Sequence, residues 1–482
     1  MPEATVFSQE LMQLMNEKSF SRTGLSQQIF VDRATLFRYL KGHTLPSEAT
    51  VSQIAKAMRL TPAEFRRLLL SWEITANGGI GKMQQRDYIR AILSDPFVDQ
   101  VDGALPTHPY TPAGTYLSNS VQVRQAIMEM FTVPQPQEFH KVFISTQSDH
   151  PLLWGLLGQL PPTIRQNLRI EHIIQMSDRQ DDAVNISLFQ SILPFLVPYD
   201  ESNIEWYQVR YYYNHNLRAS AQAMDWFPNV LFTEHMALLL SHDYSGGVVL
   251  RDNPAAYFRT IYNNIREHTW PMISEALDLA AFSDLLARWD AQSRKSKYVM
   301  MPQPCAFECL DEAVLNQLIS QQSDKPYDDV ASASFVARLV RTLVRRVKSR
   351  EANHAKQKNT YLFYSDAGLN QVFANGLFQE LEGLPFTVDR DMVHAMLDIL
   401  KARSEAAGSR FISKALPEAT YPLTQSGLCL VGLEQNMLIL WRMTMNKPFL
   451  RYVIIEEKSI VNAFDDFFLK VLAQSPPRRG TA

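Results

Sequence analysis

The chain has 482 residues, 46% apolar and 20% charged, which excludes disordered, collagen-like and disulfide-stapled classes and allows roughly three domains. Its 47 Lys plus Arg against 50 Asp plus Glu give a net charge of −3, so the molecule as a whole is no polycation and any nucleic-acid role needs a local patch. Cys305, Cys309 and Cys429 give no disulfide framework, the N-terminus lacks a signal-peptide pattern, and no apolar run reaches spanning length. A cytoplasmic protein with no membrane partner and no metal or cofactor is expected.

Residues 1–72 carry nine Lys and Arg against six Asp and Glu, a net of +3, which leaves −6 for the remainder. Such a basic head on an acidic body has the electrostatic outline of a nucleic-acid-binding module joined to a different kind of domain. Five short helices are predicted in the head. Phe7, Leu11, Leu14 and Met15 recur at helical spacing, as do Val51, Ile54, Ala55 and Met58, and again Phe65, Leu68, Leu69 and Trp72. Ser21 precedes a segment ending at Ile29, Asp32 caps Arg33 to Lys41, and Thr61-Pro62 opens the last helix. Gly42 stops the third segment, and Leu45-Pro46-Ser47 turns into the fourth.

Residues 73–115 hold Gly78, Gly79, Gly81, Pro96, Pro106, Pro109 and Pro112 around one helix from Gln84 to Leu93, the texture of a hinge. Beyond it, strand-length apolar runs alternate with amphipathic segments. Predicted strands are Lys141 to Ser145, Leu168 to Met176, Ile204 to Tyr213, Val248 to Arg251, Tyr298 to Met301, Tyr361 to Tyr364, Leu428 to Leu433, Met437 to Met443 and Leu450 to Ile455. Predicted helices are Val121 to Phe131, Ile186 to Leu196, Ala255 to Ile273, Glu312 to Ser320, Ser334 to Arg350, Arg390 to Ala407 and Ser459 to Leu472. The fold class is therefore an all-α head and a large mixed α/β (α+β) body, with lobes 116–295 and 296–482 meeting near Gln292 to Lys297. No repeat of fixed period is evident in the sequence.

The segment from Ser21 to Ser47, SRTGLSQQIFVDRATLFRYLKGHTLPS, carries the strongest functional signal. Two short helices flank a tight turn at Phe30-Val31, with Leu25, Ile29, Val31, Leu36 and Leu40 facing inward. Arg33, Ala34, Thr35, Phe37, Arg38 and Lys41 stay largely outward. An apolar underside beneath outward polar side chains suits a helix docked in a major groove. The segment resembles the helix-turn-helix of phage-repressor-like proteins, the Cro or XRE family, over residues 7 to about 70, including its closing Gly42 and Pro46-Ser47. The resemblance implies a transcriptional regulator on double-stranded DNA. It places Arg33, Ala34 and Arg38 at base-contacting sites, with Thr35 and Phe37 alongside, and Arg22, Lys41 and His43 at phosphate-contacting sites. Two residues depart from the pattern: Phe30 stands for a small turn residue and Leu40 for a frequent Glu. A lone small domain binds weakly at physiological salt, so a homodimer is expected, its body serving oligomerisation or sensing a small-molecule or peptide effector.

Other signals have bland readings beside them. The helix 334–350 sets Arg338, Arg341, Arg345, Arg346, Lys348 and Arg350 opposite an apolar face, which serves equally as a solvated face or a contact for DNA backbone or an acidic partner. Trp206, Tyr207, Tyr211, Tyr212, Tyr213 and His215 are suited to lining a ligand pocket or to packing between layers; strand alternation puts Trp206 and Tyr212 on one face and the other three tyrosines on the opposite one. Catalytic patterns fail: GIGKMQ (79–84) lacks the last Gly of a dinucleotide fingerprint, and Ala76 and Met83 break a phosphate-binding loop. His354-x-Lys356 starts a phospholipase-D-like pattern that Tyr361 interrupts. An enzyme, or a degenerate phospholipase-D-like relative, acting on a small molecule with a DNA-targeting head is the alternative; the body is not expected to be catalytic.

Overall fold

In the computed structural model each of the first five helices is opened and closed by local chemistry. They are α1 (Val6–Glu17), α2 (Arg22–Gln28), α3 (Arg33–Leu40), α4 (Glu48–Ala57) and α5 (Pro62–Ala76). The side chains of Thr5, Ser21, Asp32, Ser47 and Thr61 each accept from the amide three residues on, satisfying one of the donors that a helix start leaves unpaired. At the other ends an amide beyond the helix reaches back to a carbonyl: Phe20 to Met15, Val31 to Ser26, His43 to Arg38, Leu60 to Ala55 and Gly79 to Ile74. This closure needs a left-handed residue just before the donor. Gly42 and Gly78 supply it twice, whereas Ser19, Phe30 and Arg59 adopt φ of 54, 57 and 49° without a glycine's freedom.

The helices share one core built from Phe7, Leu11, Leu14, Leu25, Leu36, Leu40, Val51, Ile54 and Leu68 among others. Helix α5 is tied to α1 by the Phe7 amide donating to Thr75 Oγ1 at 3.0 Å. The Trp72 indole donates to the Pro46 carbonyl at 2.8 Å, pinning the turn before α4. Arg67 pairs with Glu10 and with Glu17, the latter at 3.1 Å, and Lys18 pairs with Glu64 at 2.9 Å.

The structure describes residues 4–94, 116–132, 139–146, 151–179, 183–197, 206–213, 228–251, 255–277, 279–292, 295–309, 311, 344, 347–348, 359–378, 386–407, 410–443 and 452–473. The chain divides into two compact units, residues 1–87 with 181–183 and residues 88–180 with 184–482. The division falls within helix α6 (Ile80–Ser94), which begins four residues ahead of the predicted helix and includes Gly81. Its later residues Ile89, Ile92 and Leu93 belong to the core of the second unit.

Two mixed sheets build that second unit, together with a separate two-stranded pair, β12 (Leu377–Phe378) and β13 (Phe386–Thr387), among the described residues. The first sheet runs β1 (Tyr116–Leu117), β7 (Gly247–Arg251), β6 (Met236–Leu240), β5 (Asn229–Phe232), β2 (His140–Thr146), β3 (Leu168–Met176), β4 (Tyr207–Tyr213) and β8 (Trp270–Pro271). The second runs β9 (Glu275–Leu277), β17 (Tyr452–Ile455), β16 (Met437–Arg442), β15 (Leu428–Leu433), β10 (Lys297–Met301), β11 (Thr360–Ser365) and β14 (Phe411–Leu416). In both, three parallel strands adjoin an antiparallel run of three, and the short first strand pairs with the last of that run. Numbered by place in its own half, each sheet has the order 1-7-6-5-2-3-4, with β8 added to the first. The architecture is thus repeated although no repeat is legible in the sequence. Topology depends on which runs pair, and many side-chain sets satisfy one pairing.

The chain changes sheet between Pro271 and Glu275, ahead of the boundary at 295/296 expected from sequence, because β9 pairs antiparallel with β17. Period-2 alternation sorts side chains into layers. Met300, Phe363, Leu430 and Leu440 share a core with Val142, Ile170 and Val209 of the first sheet and with Phe189 and Phe464 on the helices Val184–Leu196 and Lys458–Asp466. Val299, Leu362, Val431 and Ile439 face a separate core with the helices Leu279–Gln292 and Arg390–Ala407. There Lys297 Nζ lies buried between Asp290 Oδ1 (3.1 Å) and Glu308 Oε1 (2.9 Å), with Arg403 Nη1 3.2 Å from Glu308 Oε2.

Other sequence expectations shift. The helix predicted over 255–273 spans Ala255–Arg266, since Pro271 lacks an amide donor and, with Trp270, forms edge strand β8 against β4. The helix predicted to end at Leu472 turns from α to a wider π form at Phe467. Strands β5, β6 and β14 were not predicted. The segment 312–320 lies outside the described residues, as does the basic helix 334–350 apart from residues 344, 347 and 348. No described helix is long and apolar enough to cross a membrane.

Candidate nucleic-acid interface

Helix α3 rests on Leu36 and Leu40, which are 1% and 3% exposed, while Arg33, Ala34, Phe37, Arg38 and Lys41 lie outward. The periodicity of the sequence dictates this split, since only the fourth and eighth positions of an eight-residue helix turn onto the apolar surface of α1 and α2. Helix α2 contributes Leu25 and Ser26, both buried, and the Ser26 hydroxyl donates back to the Thr23 carbonyl at 3.0 Å. Arg22 is exposed at the first position of α2, and His43 is exposed just past Gly42, its amide fixed on the Arg38 carbonyl at 2.9 Å.

Thr35 is the exception among the expected base-reading residues. It is half-buried, its amide and hydroxyl both donate to Asp32 at 2.7 Å, and its hydroxyl accepts from Arg38 Nη2 at 2.9 Å. Asp32 thereby caps α3 and, through Thr35, orients Arg38 along the outer face. The two Thr35 hydrogen bonds hold the Asp32 carboxyl below its ordinary range. The capping role of Asp32 was legible in the sequence. Its second oxygen's hold on the Thr35 hydroxyl was not, because it depends on a rotamer.

Charge is partitioned within the domain. Residues 22–47 contain four Lys and Arg against the single acid Asp32. The acids Glu10, Glu17 and Glu64 are engaged with Arg67 and Lys18 between α1 and α5; Lys18 and the Thr61 amide bring the Glu64 carboxyl down to about 2. Among the described residues no carboxylate forms an ion pair with Arg22, Arg33, Arg38 or Lys41. Lys41 Nζ instead lies 5.8 Å from the Phe37 ring centroid. Phe30 holds its left-handed turn conformation while 93% exposed, so the aromatic that replaces a small turn residue is accommodated by pointing into solvent.

The body's sequence candidates disperse. Tyr207 is buried, with its hydroxyl 2.8 Å from Nδ1 of His172, whose Nε2 meets Thr146 Oγ1 at 2.8 Å; burial drives the His172 pKa down to about 3. Tyr212 faces the outer core of the first sheet with Ile173, as alternation requires. Trp206 sits on the same side as Tyr207, contrary to alternation, because it precedes the first residue of β4. His354 and Lys356 lie outside the described residues, and Tyr361 is a buried residue of β11. Cys305 and Cys309 are buried, and neither forms a disulfide.

A model of the helix-turn-helix family matches residues 11–65, and no family matches the rest of the chain. No curated protein matches it. Residues 11–65 are thus a helix-turn-helix domain, and at the level of that family DNA binding and transcription regulation are supported.

Proposed function

We propose that the protein is a sequence-specific DNA-binding transcriptional regulator that places α3 in the major groove of a duplex. The observation that carries this reading is the row of exposed Arg33, Arg38 and Lys41 standing above the buried Leu36 and Leu40. Arg33 and Arg38 grip guanine O6 and N7, each contact discriminating by about 1–3 kcal/mol. Ala34 and Phe37 supply apolar contact to thymine methyl groups, and Thr35 acts by orienting Arg38. Arg22, Lys41 and His43 set register through phosphates. The molecule works as a homodimer on two half-sites, and the body carries the oligomerising or effector-sensing role.

Recovery of bound genomic fragments followed by titration at fixed salt tests this. Arg33→Ala with Arg38→Ala abolishes discrimination between recovered sites and random DNA, while Lys41→Ala weakens both equally and lowers the salt slope by about one. Discrimination that survives the double substitution defeats the base-reading assignment. Recovered sites without two-fold symmetry defeat the dimer.

A further inference from the structure

We propose that Tyr211, Tyr213 and Trp270, beside Glu456 and Glu457, form a binding site for an organic cation with an alkylated ammonium head. Tyr211 and Tyr213 are two apart on β4 and share a face; Trp270 pairs directly with Tyr211 across the β4–β8 ladder and joins them on it. The ring centroids are 5.7, 6.0 and 6.2 Å apart, with planes inclined by 75, 37 and 46°. The two tyrosines are partly buried against the shared core, and Trp270 remains 46% exposed at the sheet edge.

Two features select a cation over a neutral apolar ligand. Ring faces carry the negative lobe of the aromatic quadrupole, and three rings cluster here within 6.2 Å of one another. The Tyr213 hydroxyl donates to Glu457, which also accepts from the Ser459 and Ile460 amides at 3.1 and 2.8 Å and from the Ser459 hydroxyl at 2.7 Å. Burial and the nearby Glu457 and Glu456 carboxylates push the Tyr211 hydroxyl up to about 12, a field that also favours an added positive charge. The rings are too close for a tetra-alkylated head to sit between them, so it would lie against the cluster from the side of the exposed Trp270, within about 6 Å of the centroids. Methyl substituents replace the hydration that a bare ammonium loses against rings offering it no acceptor. The site joins the two halves of the body, since Tyr213 belongs to the first sheet and Glu457 follows the last strand of the second, and ligand sites favour such junctions.

This assignment is independent of the DNA-binding reading and is tested on the full chain without DNA. Choline and its neutral isostere 3,3-dimethyl-1-butanol are titrated at millimolar concentration and followed by calorimetry and by ligand-observed NMR. Choline binds, the isostere binds at least tenfold more weakly, Trp270→Leu weakens choline about tenfold, and Glu456→Gln weakens it two- to threefold. Thermal unfolding checks that Trp270→Leu folds; if it does not, Trp270→Phe, which keeps a weaker ring face, and Glu456→Gln carry the comparison. No choline binding to the wild-type chain, equal binding of the isostere, or unaltered affinity in the ring variant that folds overturns the proposal and leaves the three rings as packing.

Discussion

The head and the body use charge in opposite ways. In residues 1–87 the ion pairs of Arg67 and Lys18 lie at the surface, where solvent screens them and each contributes little, and the cations of α2 and α3 are left outward. In the body, Lys297 is enclosed with Asp290 and Glu308, their side chains 3% and 1% exposed. The contrast separates charge held ready for a partner from charge that fixes a fold. An exposed cation costs little to keep unpaired, whereas a buried one is tolerated only while its partners stay.

The sharpest way to break that contrast is Lys297→Met, which removes a buried cation from between Asp290 and Glu308 and destabilises the body by about 3–5 kcal/mol. Hydrogen exchange should show lost protection in β10, β11 and β15 with α1 to α5 unchanged. Equal loss in the head would mean that the two units do not hold their structure separately. A smaller effect comes from His172. Its folded pKa of about 3 lies below the ordinary 6.5, so between those values the unfolded chain takes up a proton that the folded chain refuses. Stability present above pH 6.5 therefore falls progressively as the pH drops toward 3. His172→Gln should flatten that part of a denaturation profile while lowering stability at neutral pH through the lost Thr146 and Tyr207 bonds. The smallest effect is Phe30→Gly. The ring is 93% exposed, so its loss sacrifices no burial, and relief of the left-handed backbone should stabilise the head by about 0.5–1 kcal/mol. A fall in the head's unfolding midpoint would show that the ring contributes more than its conformation costs.

The head was legible because its grammar is local. Ser21, Asp32 and Thr61 announce helix starts within three residues of the amides they cap, and the spacing of Leu25, Ile29, Leu36 and Leu40 gives the buried face. Even there the stops are only partly written. Glycine marks the closures after α3 and α5, but Ser19, Phe30 and Arg59 make the same turn without it. The body's grammar is distant. Strands β5 and β6 are four and five residues long, and what makes them strands is pairing with β2 and β7. Strand β9 is claimed by β17, far along the chain, which moved the change of sheet upstream of the expected boundary. The aromatic run at 206–213 was visible as composition. Its division into Tyr207 on His172, Tyr212 in an outer core and Tyr211 with Tyr213 beside Trp270 required register, and the third ring comes from a segment read as helix.

The chain of contacts from Asp32 through Thr35 to Arg38 bears on the base-reading role proposed for Arg38. A long guanidinium ordinarily sweeps many rotamers and gives them up on docking, at about 0.5–1.5 kcal/mol for a side chain immobilised at an interface. Here part of that surrender happens when the helix folds, because the same carboxylate that starts α3 also anchors the hydroxyl that holds the arm. Starting the helix and orienting the Arg38 guanidinium are one event, so under the base-reading role proposed for Arg38 a substitution at Asp32 would blur discrimination at the base that Arg38 contacts.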